Sequence, residues 1–145
     1  MRAQTEASLE GADAALFVID ARAGLTPLDE EIARYLREQS VPVVLVANKA
    51  EGAAGEGGVL EAYALGLGDP IALSAEHGEG IADLFGALWP IIGAQAEAFE
   101  EAQEAAHAAF DDDEERPRGP LKLAIVGRPN AGKSTLINRL LGEDR

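Results

Sequence analysis

The sequence predicts an α/β fold, a parallel β-sheet with helices on both faces. Three observations carry that prediction. Apolar runs such as Ala14-Ala-Leu-Phe-Val-Ile19 and Val41-Pro-Val-Val-Leu-Val-Ala47 have the composition of strands buried on both sides. Segments with apolar residues at helical spacing separate these runs, as parallel pairing requires. Near the far end, another apolar run opens into Gly127-Arg-Pro-Asn-Ala-Gly132-Lys133-Ser134 and then a helical stretch. That order, strand, glycine-bearing loop, helix, is the local architecture of a phosphate-binding loop.

Taken in order, residues 2–10 read as a helix that stops at Gly11. The first strand is Ala14–Ile19, ending at Asp20. Thr26-Pro27-Leu28-Asp29 is a helix start, with Thr26 as cap, Pro27 in the first turn and an acid three residues after the cap. Leu28, Ile32, Tyr35 and Leu36 give this helix an apolar stripe. The second strand is Val41–Ala47. Gly-Ala-Ala-Gly-Glu-Gly-Gly over 52–58 predicts a flexible loop, and 59–66 a short helix. A third strand is expected over Pro70–Ser74. A helix follows from about Ile81 to Trp89, with Ile81, Leu84, Phe85 and Leu88 on one face; Phe85 and Trp89 are expected to be core.

Residues 93–120 break the pattern. Residues 94–115 carry nine acids and no Lys or Arg, and Arg116-Pro-Arg-Gly-Pro120 follows. Dense like charge and low hydrophobicity make this a linker. The last segment, 121–145, holds the strand from Leu121, the glycine-bearing loop and a helix through Leu136–Leu141. With 145 residues the chain can bury one core, hardly two complete domains.

Composition bounds the function. A net charge of −14 argues against a simple nucleic-acid-binding surface, and no direct nucleic-acid site is evident. The absence of cysteine excludes disulfides and thiolate metal sites and fits a cytoplasmic protein. No apolar run approaches the ~18 residues of a membrane helix, so no membrane partner is expected. His77 is expected to face solvent, and neither it nor His107 has a second His or Cys nearby for a metal site.

Within the loop, Gly127 and Gly132 allow backbone shapes that turn successive N–H groups toward phosphates. Lys133 can reach the β- and γ-phosphates, and the Ser134 hydroxyl can bind Mg²⁺. Arg128 can face either phosphate or a partner. Two further motifs point to guanine. Asn48-Lys49-Ala50-Glu51 follows the second strand and Ser74-Ala75-Glu76 the third, at the carboxyl ends where open parallel sheets bind nucleotides. A carboxylate at position 51 can accept from the ring N–H and exocyclic amine of guanine together. Asn48 can hold neighbouring loops, the Lys49 stem can cover the base, and an N–H around Ala75 can face its carbonyl oxygen.

With these motifs in this order, the chain resembles the bacterial tandem-GTPase family called Der or EngA, ribosome-assembly factors with two consecutive GTPase domains. Residues 1–92 resemble the back half of the first GTPase domain through Met-Arg-Ala-Gln-Thr-Glu, Val-Ile-Asp-Ala-Arg, Gly-Leu-Thr-Pro-Leu-Asp, Asn-Lys-Ala-Glu and Ser-Ala-Glu-His-Gly. Residues 93–120 resemble the interdomain linker, and 121–145 the opening of the second domain. The resemblance implies an incomplete P-loop NTPase sheet of the Ras-like type. It implies that Asn48, Lys49 and Glu51, aided by Ser74 and Ala75, read guanine. Gly127, Arg128, Pro129, Asn130, Ala131, Gly132, Lys133, Ser134 and Thr135 would hold the phosphates of GTP or GDP with Mg²⁺, and Asn130 a potassium ion. The partner implied for the parent protein is the large ribosomal subunit.

The departures are also informative. The first half lacks its own phosphate loop, first switch and Asp-x-x-Gly loop, and the second lacks everything after its first helix. The chain therefore reads as a fragment, expected to bind guanine nucleotide weakly at most and not to hydrolyse it. Glu51 stands where most GTPases have Asp, which moves the carboxylate by about a bond length. Leu121–Gly127 has no partner strand from its own domain, and an unpaired apolar edge is costly. A linker of this length can span about 90 Å, so the strand is expected to dock beside 14–19, as in a circularly permuted GTPase. The alternatives are a truncated, truly permuted ribosome-assembly GTPase and a non-enzymatic interaction module acting through the acidic linker.

Overall fold

The structure, a computed structural model, describes residues 2–91, 122–129 and 131–140. The linker expected over 93–120 and the site residue Asn130 lie outside the described residues. Among the described residues the α-helices and strands follow in the order α1 (Arg2–Leu9), β1 (Ala14–Asp20), α2 (Pro27–Arg37), β2 (Val43–Asn48), α3 (Gly52–Ala62), β3 (Ile71–Ala72), α4 (81–91), β4 (Leu123–Val126) and α5 (Lys133–Leu140). The strands form one parallel sheet in the order β3-β2-β1-β4.

The expected docking of the last strand is present. Ala14, Ala15, Leu16 and Phe17 of β1 pair in register with Leu123, Ala124, Ile125 and Val126 of β4. On its other side β1 pairs with β2 from Ala15↔Val43 to Asp20↔Asn48. All seven residues of β1 are buried, which is why its run is apolar without alternation. Its side chains still alternate between two cores. Phe17 and Ile19, with Leu45, Ala47 and Val126, meet Ile32, Ala33 and Leu36 of α2 and Ala62 of α3. Leu16 and Val18, with Val44 and Val46, meet Leu84 and Leu88 of α4 and Leu136 of α5. Complete burial of each large side chain contributes about 1.5–3 kcal/mol.

Thr26 begins α2 as expected: its Oγ1 accepts from the Asp29 N–H at 3.2 Å, and Asp29 Oδ2 accepts from the Thr26 N–H at 2.9 Å. Strand limits shift slightly. Pairing of the second strand opens at the Pro42 carbonyl, which accepts from Ala15 N–H, and β2 proper starts at Val43. The third strand is reduced to Ile71–Ala72.

Two expectations are corrected. Residues 52–58 are the first turns of α3, followed by a 3₁₀ turn over Tyr63–Leu65 that Gly66 ends in the left-handed region at φ 70°. Two of the glycines there serve close packing. A Cβ on Gly55 would sit 2.3 Å from the Ala50 carbonyl carbon, and one on Gly58 would sit 1.7 Å from the Ala21 oxygen. In α4 the buried stripe is Leu84 and Leu88 with Ile81, Ala87 and Ile91, while Phe85 and Trp89 are 46% and 72% exposed. Each follows a stripe residue by one position, about 100° around the helix, and so lies off the sheet.

Candidate nucleotide site at the strand ends

The glycine-bearing loop leaves β4 and crosses the carboxyl ends of β1 and β2. Gly127 backs onto β1: a Cβ there would lie 2.3 Å from the Val18 oxygen. Gly132, at φ 94°, backs onto β2: a Cβ there would lie 2.1 Å from Asn48 Nδ2. Both fixed glycines of G-x-x-x-x-G thus lie where the loop comes against the sheet. Lys133, the first residue of α5, donates from Nζ to the Gly127 carbonyl at 2.8 Å, folding its ammonium back across the loop. Ala131 is fully buried, whereas Pro129, Ser134 and Thr135 are exposed. Arg128 turns away from the loop mouth. Its Nε donates to Asp29 Oδ2 at 3.2 Å and its Nη2 approaches the Gly24 carbonyl at 3.5 Å.

Asn48, the last residue of β2, joins the two motif groups. It is 2% exposed. Its Nδ2 donates to the Ala131 carbonyl at 2.9 Å, and its Oδ1 accepts from the Ala75 N–H at 2.9 Å. One amide therefore ties the phosphate-type loop to the Ser74–Ala75 turn. That turn is closed by reciprocal bonds between Ser74 and Glu79, 2.9 and 3.1 Å.

Lys49 adopts φ 60°, which swings the chain around the end of β2, and its Nζ pairs with Asp20 Oδ2 at 3.1 Å. Burial alone would raise the Asp20 pKa. The Ala23 N–H, Lys49 and the charge of Arg128 outweigh it and hold the carboxyl below its ordinary 3.8. Glu51 caps α3 without a side-chain capping bond. Its Oε1 lies 3.7 Å from Arg22 and 3.8 Å from His77. Its Oε2 and the Ser74 Oγ are both buried and without a hydrogen-bond partner. The Glu51 pKa is lowered, chiefly by its own backbone N–H against some burial. The nearby Ser74 hydroxyl, short of hydrogen-bond geometry, and the neighbouring Arg22 and His77 add to it. Ionised, this carboxylate is an acceptor only, with one oxygen unpaired.

All the described site residues gather at one sheet edge. The sequence reading missed Asp20, Arg22 and Asp29. Asp20 has a signal: it ends β1 in register with Asn48. His77, expected to face solvent, is 54% exposed yet stands beside Glu51. A cavity of about 350 Å³ between α1 and the loop is lined by Thr5, Ser8, Gly127 and Lys133. The slightly larger cavity between α1 and α2 lies away from the strand ends and has no share in this site. A Ser134 hydroxyl on the first turn of α5 suits Mg²⁺, which takes few protein oxygens and completes its shell with phosphate and water. No helix among the described residues is long and apolar enough to cross a membrane.

A parallel sheet whose carboxyl edge carries a G-x-x-x-x-G-K-S loop and an Asn-Lys-x-acid strand end defines a P-loop NTPase of the GTPase type. Comparison with known proteins agrees. The profile of the 50S ribosome-binding GTPase family matches residues 1–49 and 122–145, about half of the chain and both sides of the linker. The chain belongs to that family. Across its whole length it is 67% identical to GTPase Der of Novosphingobium aromaticivorans and 57% identical to GTPase Der of Azorhizobium caulinodans and of Nitrobacter hamburgensis. It spans 31% of the length of each of these relatives.

Proposed function

We propose that the chain binds a guanine nucleotide in one composite site at the carboxyl edge of the sheet. The phosphates lie in the loop Gly127–Thr135 against the α5 N-terminus, with Lys133 turning from the Gly127 carbonyl to the β- and γ-oxygens. Ser134 holds Mg²⁺, and Asn130 is assigned a potassium ion through the family resemblance. Glu51 accepts from the guanine N–H and amine, and Lys49 lies over the base. The Ala75 N–H is engaged with Asn48, so another amide of the same turn meets the base oxygen. The observation that carries this reading is the pair of hydrogen bonds of Asn48, donated to the Ala131 carbonyl and accepted from the Ala75 N–H, which ties a phosphate loop and a base loop into one unit.

In the longer protein, we assign 1–92 and 121–145 to consecutive GTPase domains joined by 93–120, acting in maturation of the large ribosomal subunit with GTP hydrolysis. In the isolated chain, β4 takes beside β1 the place of the missing strand, giving a weak guanine-nucleotide binder. Calorimetric titration with GDP and Mg²⁺ tests this. Binding is expected at up to millimolar GDP, weaker for ADP, and lost in Asn48→Ala. No heat with GDP from a folded chain rejects it.

A further inference from the structure

Arg139 lies in the last turn of α5, and nothing in the G-x-x-x-x-G-K-S or Asn-Lys-x-acid motifs involves it. Its Nε donates to the Ala75 carbonyl at 2.8 Å and its Nη2 to the Glu76 carbonyl at 2.8 Å. Both acceptors are successive carbonyls of the turn that follows β3. The planar fork of a guanidinium fits two neighbouring acceptors in this way, and an ammonium does not. The turn is shaped to receive it. Gly78 sits at φ 71°, and a Cβ there would already stand 3.4 Å from the guanidinium. A cation at a helix end needs no partner to be favourable. Here it has two, both from the other half of the chain.

The consequence lies in what α5 joins. Its first residue, Lys133, grips the phosphate loop, and Arg139 sits six residues later, about 9 Å along the axis. Between them Leu136 is fully buried against the sheet, so the helix cannot shift without opening a core. The Ser74–Ala75 turn is then held twice, from the sheet by Asn48 and from α5 by Arg139.

We propose that Arg139 is a positioning residue for base selection: by bonding the Ala75 and Glu76 carbonyls, it aims the amides of this turn at the base oxygen. It makes reading of the base by residues 1–92 depend on the helix that opens the second half. This inference rests on the guanine-nucleotide reading of the site.

The test uses the 145-residue chain with Arg139→Met and Arg139→Lys. Affinities for GDP, ADP and inorganic pyrophosphate, each with Mg²⁺, are measured by calorimetry, and amide hydrogen exchange is followed over residues 75–78. Arg139→Met is expected to weaken GDP about tenfold, to narrow the GDP-to-ADP ratio by about the same factor, and to leave pyrophosphate unchanged. Arg139→Lys, which keeps the charge and loses the fork, should narrow the ratio to an intermediate degree. Equal losses of GDP and pyrophosphate, or an unchanged GDP-to-ADP ratio, overturn the proposal. If Arg139→Met does not fold, the same comparison on Arg139→Lys decides. Should the parent chain bind no nucleotide, the guanine reading itself fails. The clamp then still stands or falls on exchange, which is expected to quicken about tenfold over 75–78 in the variants and which, if unchanged, removes the clamp.

Discussion

At the scale of single residues, the site is organised by buried polar groups with defined partners. Asn48→Ala leaves the Ala75 N–H and the Ala131 carbonyl without their partner, a loss of about 1–3 kcal/mol per orphaned group that urea unfolding measures. Asp29 is wholly buried and paired with Arg128, so Arg128→Met should destabilise by about 3–5 kcal/mol. The double variant Asp29→Asn with Arg128→Met should lose much less than the sum of the single losses. Asp20 has a lowered pKa, so its charged form is favoured by folding. Its contribution is present above the unfolded value near 3.8 and lost as pH falls through the lower folded value. The melting-temperature gap between the parent chain and Asp20→Asn should thus be full at pH 5–7 and shrink below about pH 4. The placement of Asn48, Lys49 and Glu51 at the carboxyl end of β2 was legible because their order along the chain is itself the motif. Arg128 was not, since a partner 99 residues away leaves no local signature.

At the scale of elements, α3 shows where composition misleads. Gly-Ala-Ala-Gly-Glu-Gly-Gly has poor helix propensity, and propensity alone says loop. Packing decides otherwise, because only glycine lets this helix lie on the backbone at Ala21 and Ala50. A matched pair of variants separates the two effects. Gly58→Ala places a methyl into the Ala21 carbonyl and should cost at least about 1–3 kcal/mol. Gly57→Ala meets nothing within 4 Å and should stabilise by about 0.5–1 kcal/mol. Thermal or urea unfolding of the two gives opposite signs if the packing account holds. The start of α2 was legible in full, because a capping box is a local arrangement of four residues. The buried stripe of α4 was readable only in part. Phe85 and Trp89 satisfy helical spacing with the stripe, but period alone does not say on which flank the sheet lies.

At the scale of the whole molecule, the parallel sheet was legible because β1 and β2 carry unbroken apolar runs. The placement of β4 followed from one physical requirement, that an apolar strand not be left with an unpaired edge. In the folded chain this puts the glycine-bearing loop and the turns after β2 and β3 at one edge, although 52 residues separate Ala75 from Gly127 in sequence. The central claim is that these two groups form one site. It is tested most directly by following backbone amides in ¹H–¹⁵N spectra of the labelled chain as GDP and Mg²⁺ are added. Gly132 and Lys133 are expected to shift together with Glu51 and Glu76, along one saturation curve. Shifts confined to the phosphate loop, two curves of different midpoint, or no shifts at all contradict it.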